Sequence, residues 1–279
     1  MGIRTDLVLE ESEKSLKIDG VQIKNYKNGE VNVTYTAVNT EDAEKLLNKQ
    51  KGKYITLEFK SFGQITDYSE ISESLISALK ELLPEINDNI MLVGLGNSDI
   101  TPDALGPFVM NKILATRHIK KELAEEIGLI GLKSVSVITP GVLGKTGIEA
   151  AELVLYAAEK IKPSAIIAVD ALAARKPSRL CNTIQLTDSG ISPGSGVHNS
   201  RRELSFKNMG VPVIAIGVPT VVDIAAGDVD LEGETNAENM IVTPNDIDRQ
   251  INEAAEVISR ALNVFLQPEI ETSLLLNLV

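Results

Sequence analysis

The chain has 279 residues, 43% of them hydrophobic and 24% charged, and a formal net charge of -12. That is room for a sizeable globular core, whereas no apolar run reaches the ~20 residues of a membrane-spanning helix, so no membrane partner is expected. The acidity disfavours nucleic acid as a partner. The only cysteine, Cys181, excludes an intrachain disulfide and suits a cytoplasmic setting.

In chain order, the start Met1-Gly2-Ile3-Arg4 lacks the apolar stretch of a signal peptide. Val21 and Ile23 alternate with polar residues up to Asn28-Gly29, a hairpin signal, and Val31, Val33, Tyr35 and Ala37 continue in strand period. Thr40 with Glu41 and Asp42 reads as a capped helix start, with an end near Gly52. Ile55, Leu57 and Phe59 read as a strand, and Ile71, Leu75, Leu79 and Leu82 as a helix stopped by Pro84.

From Ile90 the pattern changes to continuous apolar strands. Ile90–Val93, Val135–Ile138, Ala165–Val169 and Val211–Ile216 alternate with helical patterns, the last of which carries Ile247, Ile251, Ala254, Ile258 and Leu262 on one face. The expectation is one α/β domain over residues 1–279. It has a mainly parallel twisted sheet with helices on both faces, hydrolase- or phosphorylase-like, and an added N-terminal β-hairpin region. Residues 227–240 read as an acidic, solvated loop, and the apolar tail from Ile270 is expected to dock on the core or on another subunit.

Ligands of such sheets bind beyond the carboxyl ends of the strands. Three blocks fall there: Gly94 to Pro107, Thr139 to Gly147, and Val169 to Arg175; a fourth Gly/Ser-rich loop runs from Asp188 to Asn199. Asp103 lies in a first helical turn, where a carboxylate also simply favours the positive helix end. Asp170 directly follows five apolar residues, and either caps a turn or points into the crevice. Two carboxylates meeting there divide acid and base work or hold a metal. Gly94-Leu95-Gly96 lacks the third glycine of a dinucleotide loop, and Gly144-Lys145-Thr146 lacks the upstream glycine of a phosphate loop. His118 reads as a surface residue, and His198, beside Ser195 in the Gly/Ser loop, as the better functional candidate. No Gly-x-Ser-x-Gly elbow supports a serine triad, and Cys181 reads as a small core residue rather than a nucleophile.

Several blocks, in order, resemble one family: Arg4-Thr5-Asp6-Leu7, Gly94-Leu95-Gly96-Asn97, Thr101-Pro102-Asp103-Ala104-Leu105-Gly106-Pro107, Val169-Asp170-Ala171-Leu172-Ala173-Ala174-Arg175, Pro193-Gly194-Ser195-Gly196-Val197 and Gly217-Val218-Pro219-Thr220. They are similar to the germination proteases of spore-forming bacteria. The resemblance implies a fold like that of hydrogenase-maturation proteases. It implies an endopeptidase of the spore or forespore interior that degrades small acid-soluble spore proteins, cuts beside acidic residues, and is made as a zymogen and assembled as a homotetramer. It places the catalytic pair at Asp103 and Asp170 and the processing bond at Asp6–Leu7, so that residues 1–6 are a short pro-segment. Asn97, Ser195 and His198 are the candidates for oxyanion or substrate contact, with Arg175 and Arg202 for an acidic substrate side chain, alongside Lys176, Arg179 and Arg201. No cofactor is implied, and a divalent metal stays open. The stretch between Asp223 and Val242 is shorter than the family pattern. A metal-dependent protease of hydrogenase-maturation type, and a noncatalytic peptide-binding protein on the same scaffold, are the competing expectations.

Overall fold

The computed structural model describes residues 5–12, 18–65, 67–85, 89–126, 128–192, 203–224 and 240–276. Arg4, Ser195, His198, Arg201, Arg202 and nearly all of the acidic loop lie outside the described residues. The strands are β1 (Val21–Asn28), β2 (Val31–Val38), β3 (Gly52–Glu58), β4 (Asn89–Gly94), β5 (Ser134–Ile138), β6 (Ala165–Ala174), β7 (Thr183–Thr187), β8 (Val213–Ile224) and β9 (Met240–Val242). The helices are α1 (Val8–Ser12), α2 (Glu41–Leu47), α3 (Ser69–Leu82), α4 (Leu105–Met110), α5 (Lys121–Glu126), α6 (Leu143–Thr146), α7 (Ala150–Ile161), α8 (Phe206–Met209), α9 (Ile247–Leu266) and α10 (Thr272–Leu276).

All nine strands join one sheet in the order β1-β2-β3-β7-β8-β6-β4-β5, with β9 pairing β8. Only β5, β4, β6 and β8 run parallel to one another; β1, β2, β3 and β7 pair antiparallel, as do β7 with β8 and β9 with β8. The sheet is therefore mixed, which corrects the expectation of a mainly parallel one. The strand that joins its two halves is β7, and its sequence Thr183-Ile184-Gln185-Leu186-Thr187 alternates polar with apolar although every residue is buried. That alternation does not look like a central strand, so the sequence concealed the junction.

The hairpin pairs Asn28 with Val31 around Gly29, which takes a positive φ of 57°. The Thr40 hydroxyl accepts from Ala43 N (3.2 Å) to cap α2. That helix ends earlier than Gly52, because Asn48 takes the left-handed conformation after Leu47, and Gly52 instead opens β3.

Both sheet faces are covered. Ile90, Leu92, Ile167, Val169, Ile214 and Ile216 face one side, against α3, α4 and α9. Met91, Val93, Ile166 and Ala168 face the other, against Ala150, Ala151, Val154 and Ala158 of α7. This is the period-two alternation of a strand that feeds two cores. Farther along that second face, Val8 meets Val38, Ala43, Leu47 and Tyr54.

The connections change direction at β4. The chain leaves β4 through α4 to reach β5 on one side, then returns through α7 to β6 on the other side of β4. Successive connections therefore diverge between the carboxyl ends of β4 and β6, where a crevice must open.

The N-terminal segment lies beside that crevice. Leu7 is fully buried against Leu172, Ala174 and Val222. Val8 N donates to Gln185 Oε1 (2.7 Å), and Gln185 Nε2 donates to Asp6 O (3.1 Å). Leu7→Ala is expected to lower unfolding stability by about 2–5 kcal/mol, measured by urea titration. A loss below about 0.5 kcal/mol would mean that residues 5–8 do not belong to the folded core.

Candidate active site

The site is assembled on the open edge of β6. The last pairing of β4 with β6 joins Gly94 to Val169, and Leu95 N then donates to Val169 O (2.8 Å). Four residues farther along, Ala173 bonds instead to Asp6: Asp6 N donates to Ala173 O and Ala173 N donates to Asp6 Oδ2, both at 2.9 Å. Asp170 lies in the gap between these two anchors. It is 6% exposed and sits inside a strand that runs on to Ala174, not at the strand's end as the apolar run suggested. Its Oδ1 accepts from Ala171 N (2.9 Å), and across the ladder it faces Gly217 of β8, over which Leu172 packs so closely that a Cβ there would lie 2.4 Å from Leu172 Cγ.

Asp103 is brought to the same crevice by the loop after β4. The expected helix at Thr101-Pro102 is a single 3-10 turn, Thr101–Asp103, and α4 begins separately at Leu105. The turn packs on β6 and β8, and Thr220 Oγ1 of β8 donates to Pro102 O (2.7 Å). Asn97 N donates to Asp103 O (2.9 Å), and Asn97 Oδ1 accepts from Asp99 N (3.1 Å), so Asn97 braces the loop from within.

The glycines of this block serve close packing, not nucleotide binding. A Cβ on Gly106 would lie 2.2 Å from Leu95 O and 2.6 Å from Val169 O. A Cβ on Gly96, whose φ is +110°, would lie 2.0 Å from Asp103 O and 3.2 Å from Asp103 Oδ1. The Asp103 carbonyl therefore sits where a Gly96 side chain would be, with the carboxyl close by. The spacing Gly94-x-Gly96 and Gly106 was a signal for this close approach, and reading it as a failed dinucleotide loop missed that.

A cleft of about 470 Å³ lies over β8, β7 and β3 and reaches Asp6 and Leu172; neither Asp103 nor Asp170 lines it. Leu172 and Gly217 open it, Gln185, Thr187 and Tyr54 floor it, and Glu44, Lys49 and Glu203 stand among its walls. Burial pushes the Tyr54 phenol up to about 12, against the pull of the Ser189 and Thr187 hydroxyls. Burial also raises the Glu203 carboxyl, with Gln50 and Lys207 opposing and Glu44 adding to the rise. None of these floor and wall residues was singled out from sequence, since polar residues on strands carry no motif.

The expected cations divide sharply. Arg175 is held by Glu11 and by the Glu10 carbonyl, and the buried Glu10 carboxylate accepts from Arg175 N (2.7 Å) and Lys176 N (2.9 Å). Arg179 pairs with Glu58. Lys145, on the loop after β5, pairs with Asp99 on the loop after β4 and so joins the two glycine-containing loops. His118 is exposed. Among the described residues, no three His, Cys, Asp or Glu side chains cluster in a way that could hold a metal, and no helix is long and apolar enough to cross a membrane.

Cys181 is buried with φ +53°, and burial, with Asp246 adding, pushes its thiol to about 12. Iodoacetamide at pH 8 should leave the folded protein unlabelled, as read by intact mass; rapid labelling would show the thiol accessible. Gly106→Ala should cost about 1–3 kcal/mol of stability and displace the Asp103 turn. A Gly106→Ala protein of wild-type melting temperature would refute the close-approach account.

Residues 3–231 match the family model described as germination protease. The germination protease of Clostridium tetani (strain Massachusetts / E88) is 42% identical over 316 aligned positions, covering 97% of each chain. That alignment is longer than this chain, so the relative carries residues with no counterpart here. The germination protease of Caldanaerobacter subterraneus subsp. tengcongensis is 38% identical, covering 96% of this chain and 95% of its own. Among solved structures, a NiFe hydrogenase maturation protease, HycI, from Thermococcus kodakarensis KOD1 aligns over 66% of this chain and 98% of its own, at 19% identity and a TM-score of 0.38. With its family model matched over most of its length and relatives of this identity along nearly all of it, the chain belongs to the germination protease family.

Proposed function

We propose that this chain is the endopeptidase that degrades small acid-soluble spore proteins during germination, with Asp103 and Asp170 as its working pair. The observation that carries the reading is the position of Asp170, buried in the gap on the edge of β6 where β4 has ended, with the Asp103 turn packed on the same strand. A peptide laid along that gap would run beside the stretch of β6 that β4 does not pair, with Leu172 and the cleft beyond it.

In the proposed chemistry one ionised carboxylate takes a proton from water as that water attacks the scissile carbonyl. The protonated partner then gives a proton to the leaving nitrogen as the C–N bond breaks. In this chemistry the two carboxylates share one proton and titrate as a pair, so the two roles belong to the dyad. The Asn97 side chain, with the backbone N–H groups of its loop, is the candidate for stabilising the developing oxyanion. No metal is assigned to the reaction, and no cofactor.

The same reading covers the remaining family properties: cleavage beside acidic residues, synthesis as a zymogen, a homotetramer, and residence in the cytoplasm of the spore. The Asp6–Leu7 bond is the processing bond of this reading. It lies along β6 close to Asp170, and with Leu7 fully buried, its cleavage requires this segment to leave its groove first.

The test is cleavage of a purified small acid-soluble spore protein, read by mass spectrometry, by wild type, Asp103→Asn and Asp170→Asn, with and without chelator. Each substitution should lower kcat by at least about 10²–10⁴-fold at unchanged melting temperature, and chelator should have no effect. Cleavage that survives both substitutions rejects the pair, and loss on chelation that a divalent ion restores moves the chemistry to a metal.

A further inference from the structure

We propose that Lys145 is the specificity-determining residue that receives an acidic side chain of the substrate next to the scissile bond, and that Asp99 holds its place in the free enzyme. This rests on the peptidase reading above and adds the group that selects the substrate.

The parallel strands set the geometry. Lys145 lies in α6 on the loop after β5, Asp103 on the loop after β4, and Asp170 in β6, so the three arise from adjacent strands at one end of the sheet. Lys145 Nζ bonds to Asp99, Asp99 N bonds to Asn97 Oδ1 (3.1 Å), and Asn97 N bonds to Asp103 O (2.9 Å). The cation is thus three hydrogen bonds from the catalytic turn.

Its accessibility separates it from the two arginines at this end. The side chains of Lys145 and Asp99 are 43% and 68% exposed. Those of Arg175 and Glu11 are both 18% exposed, and those of Arg179 and Glu58 are 12% and 30% exposed. The arginines are therefore tied up in partly buried pairs, and taking a partner from either leaves a poorly solvated charge. An exposed pair such as Lys145–Asp99 contributes little net stability. Exchanging Asp99 for a substrate carboxylate therefore costs little, and the incoming carboxylate is already localised by the rest of the bound peptide. Lys145 also lowers the Asp99 carboxyl from its ordinary value, first through the hydrogen bond and then through its charge, so the placeholder stays ionised.

A latch that only braces the loops behaves differently from a placeholder. If Asp99 competes with the substrate, removing its charge strengthens recognition of an acidic peptide, while removing the Lys145 charge abolishes it. If the pair is only a brace, both substitutions act alike on all substrates.

The experiment uses two peptides that differ only by Glu or Gln before the scissile bond, and reads the ratio of their kcat/KM values. Wild type should favour Glu by about tenfold, the scale of one hydrogen bond to a charged group. Lys145→Gln should bring the ratio near one, and Asp99→Asn should widen it. Raised ionic strength should narrow the wild-type ratio, since the pair is exposed. A ratio unchanged in Lys145→Gln, or a ratio that falls in both variants, overturns the proposal. The same two peptides are also titrated into Asp170→Asn protein, followed by fluorescence anisotropy, with and without Lys145→Gln. A Glu preference in binding that requires Lys145 supports the assignment even if the catalytic pair is wrong. Its absence overturns the assignment even if Asp103→Asn and Asp170→Asn are inactive.

Discussion

At Gly106 the start of α4 is pressed between the ends of β4 and β6, close enough that one added carbon would overlap Leu95 O and Val169 O. Much of the site follows from that contact. Because α4 begins so near the sheet, the preceding loop has no room for a regular helix start and folds as the 3-10 turn that carries Asp103. Because Gly96 supplies a positive φ and no Cβ, that turn can fold back until the Asp103 carbonyl occupies the place of a Gly96 side chain. The tight packing is what brings the Asp103 turn against β6, the strand that carries Asp170 67 positions later in the chain.

The N-terminal segment is held by a different kind of interaction. Glu10 is 1% exposed, a burial that a carboxylate tolerates only when its oxygens are satisfied. Both are, by the backbone N–H groups of Arg175 and Lys176 (2.7 and 2.9 Å), and Glu11 pairs with the Arg175 guanidinium. Two acidic residues thus cap the end of β6 just past the site. An arginine placed there reads from sequence as a substrate anchor; in the fold it is the counter-charge of its own chain.

What the sequence made legible was local. The Asn28-Gly29 hairpin, the Thr40 cap, and the continuous apolar strands β4, β5 and β6 all announce themselves through short-range chemistry. What it hid was non-local. Asp170 looked like the residue after a strand because the apolar run stops there, but the backbone continues to Ala174, its edge supplied by Asp6 in place of β4. β7 was hidden because Gln185 and the two threonines of that strand face the cleft side of the sheet. Gln185 spends its amide on the N-terminal segment, 179 residues away from Asp6 in sequence. No window of sequence contains such a partner. The candidate aspartates themselves carried no decisive local signal, and it was the string of matching blocks around them that singled them out.

The mixed sheet divides the work between its halves. Parallel strands place their carboxyl ends together, so the loops after β4 and β5 and the edge of β6 converge and can gather reactive groups at one end. The antiparallel half has no such end, but it offers a broad face, and here that face is polar where it meets the cleft: Gln185, Thr187 and Tyr54 line it. The N-terminal segment bridges the two halves, bonded to Gln185 on one and to Ala173 on the other. Lifting residues 5–8 would therefore do two things at once. It would leave Ala173 with an open strand edge next to Asp170, and it would release the Gln185 amide into the floor of the cleft. An extended peptide supplies what both positions then lack, a backbone for the edge and a carbonyl and N–H for the amide. The groove that now seats the protein's own N-terminus has, for that physical reason, the makings of a peptide-binding track.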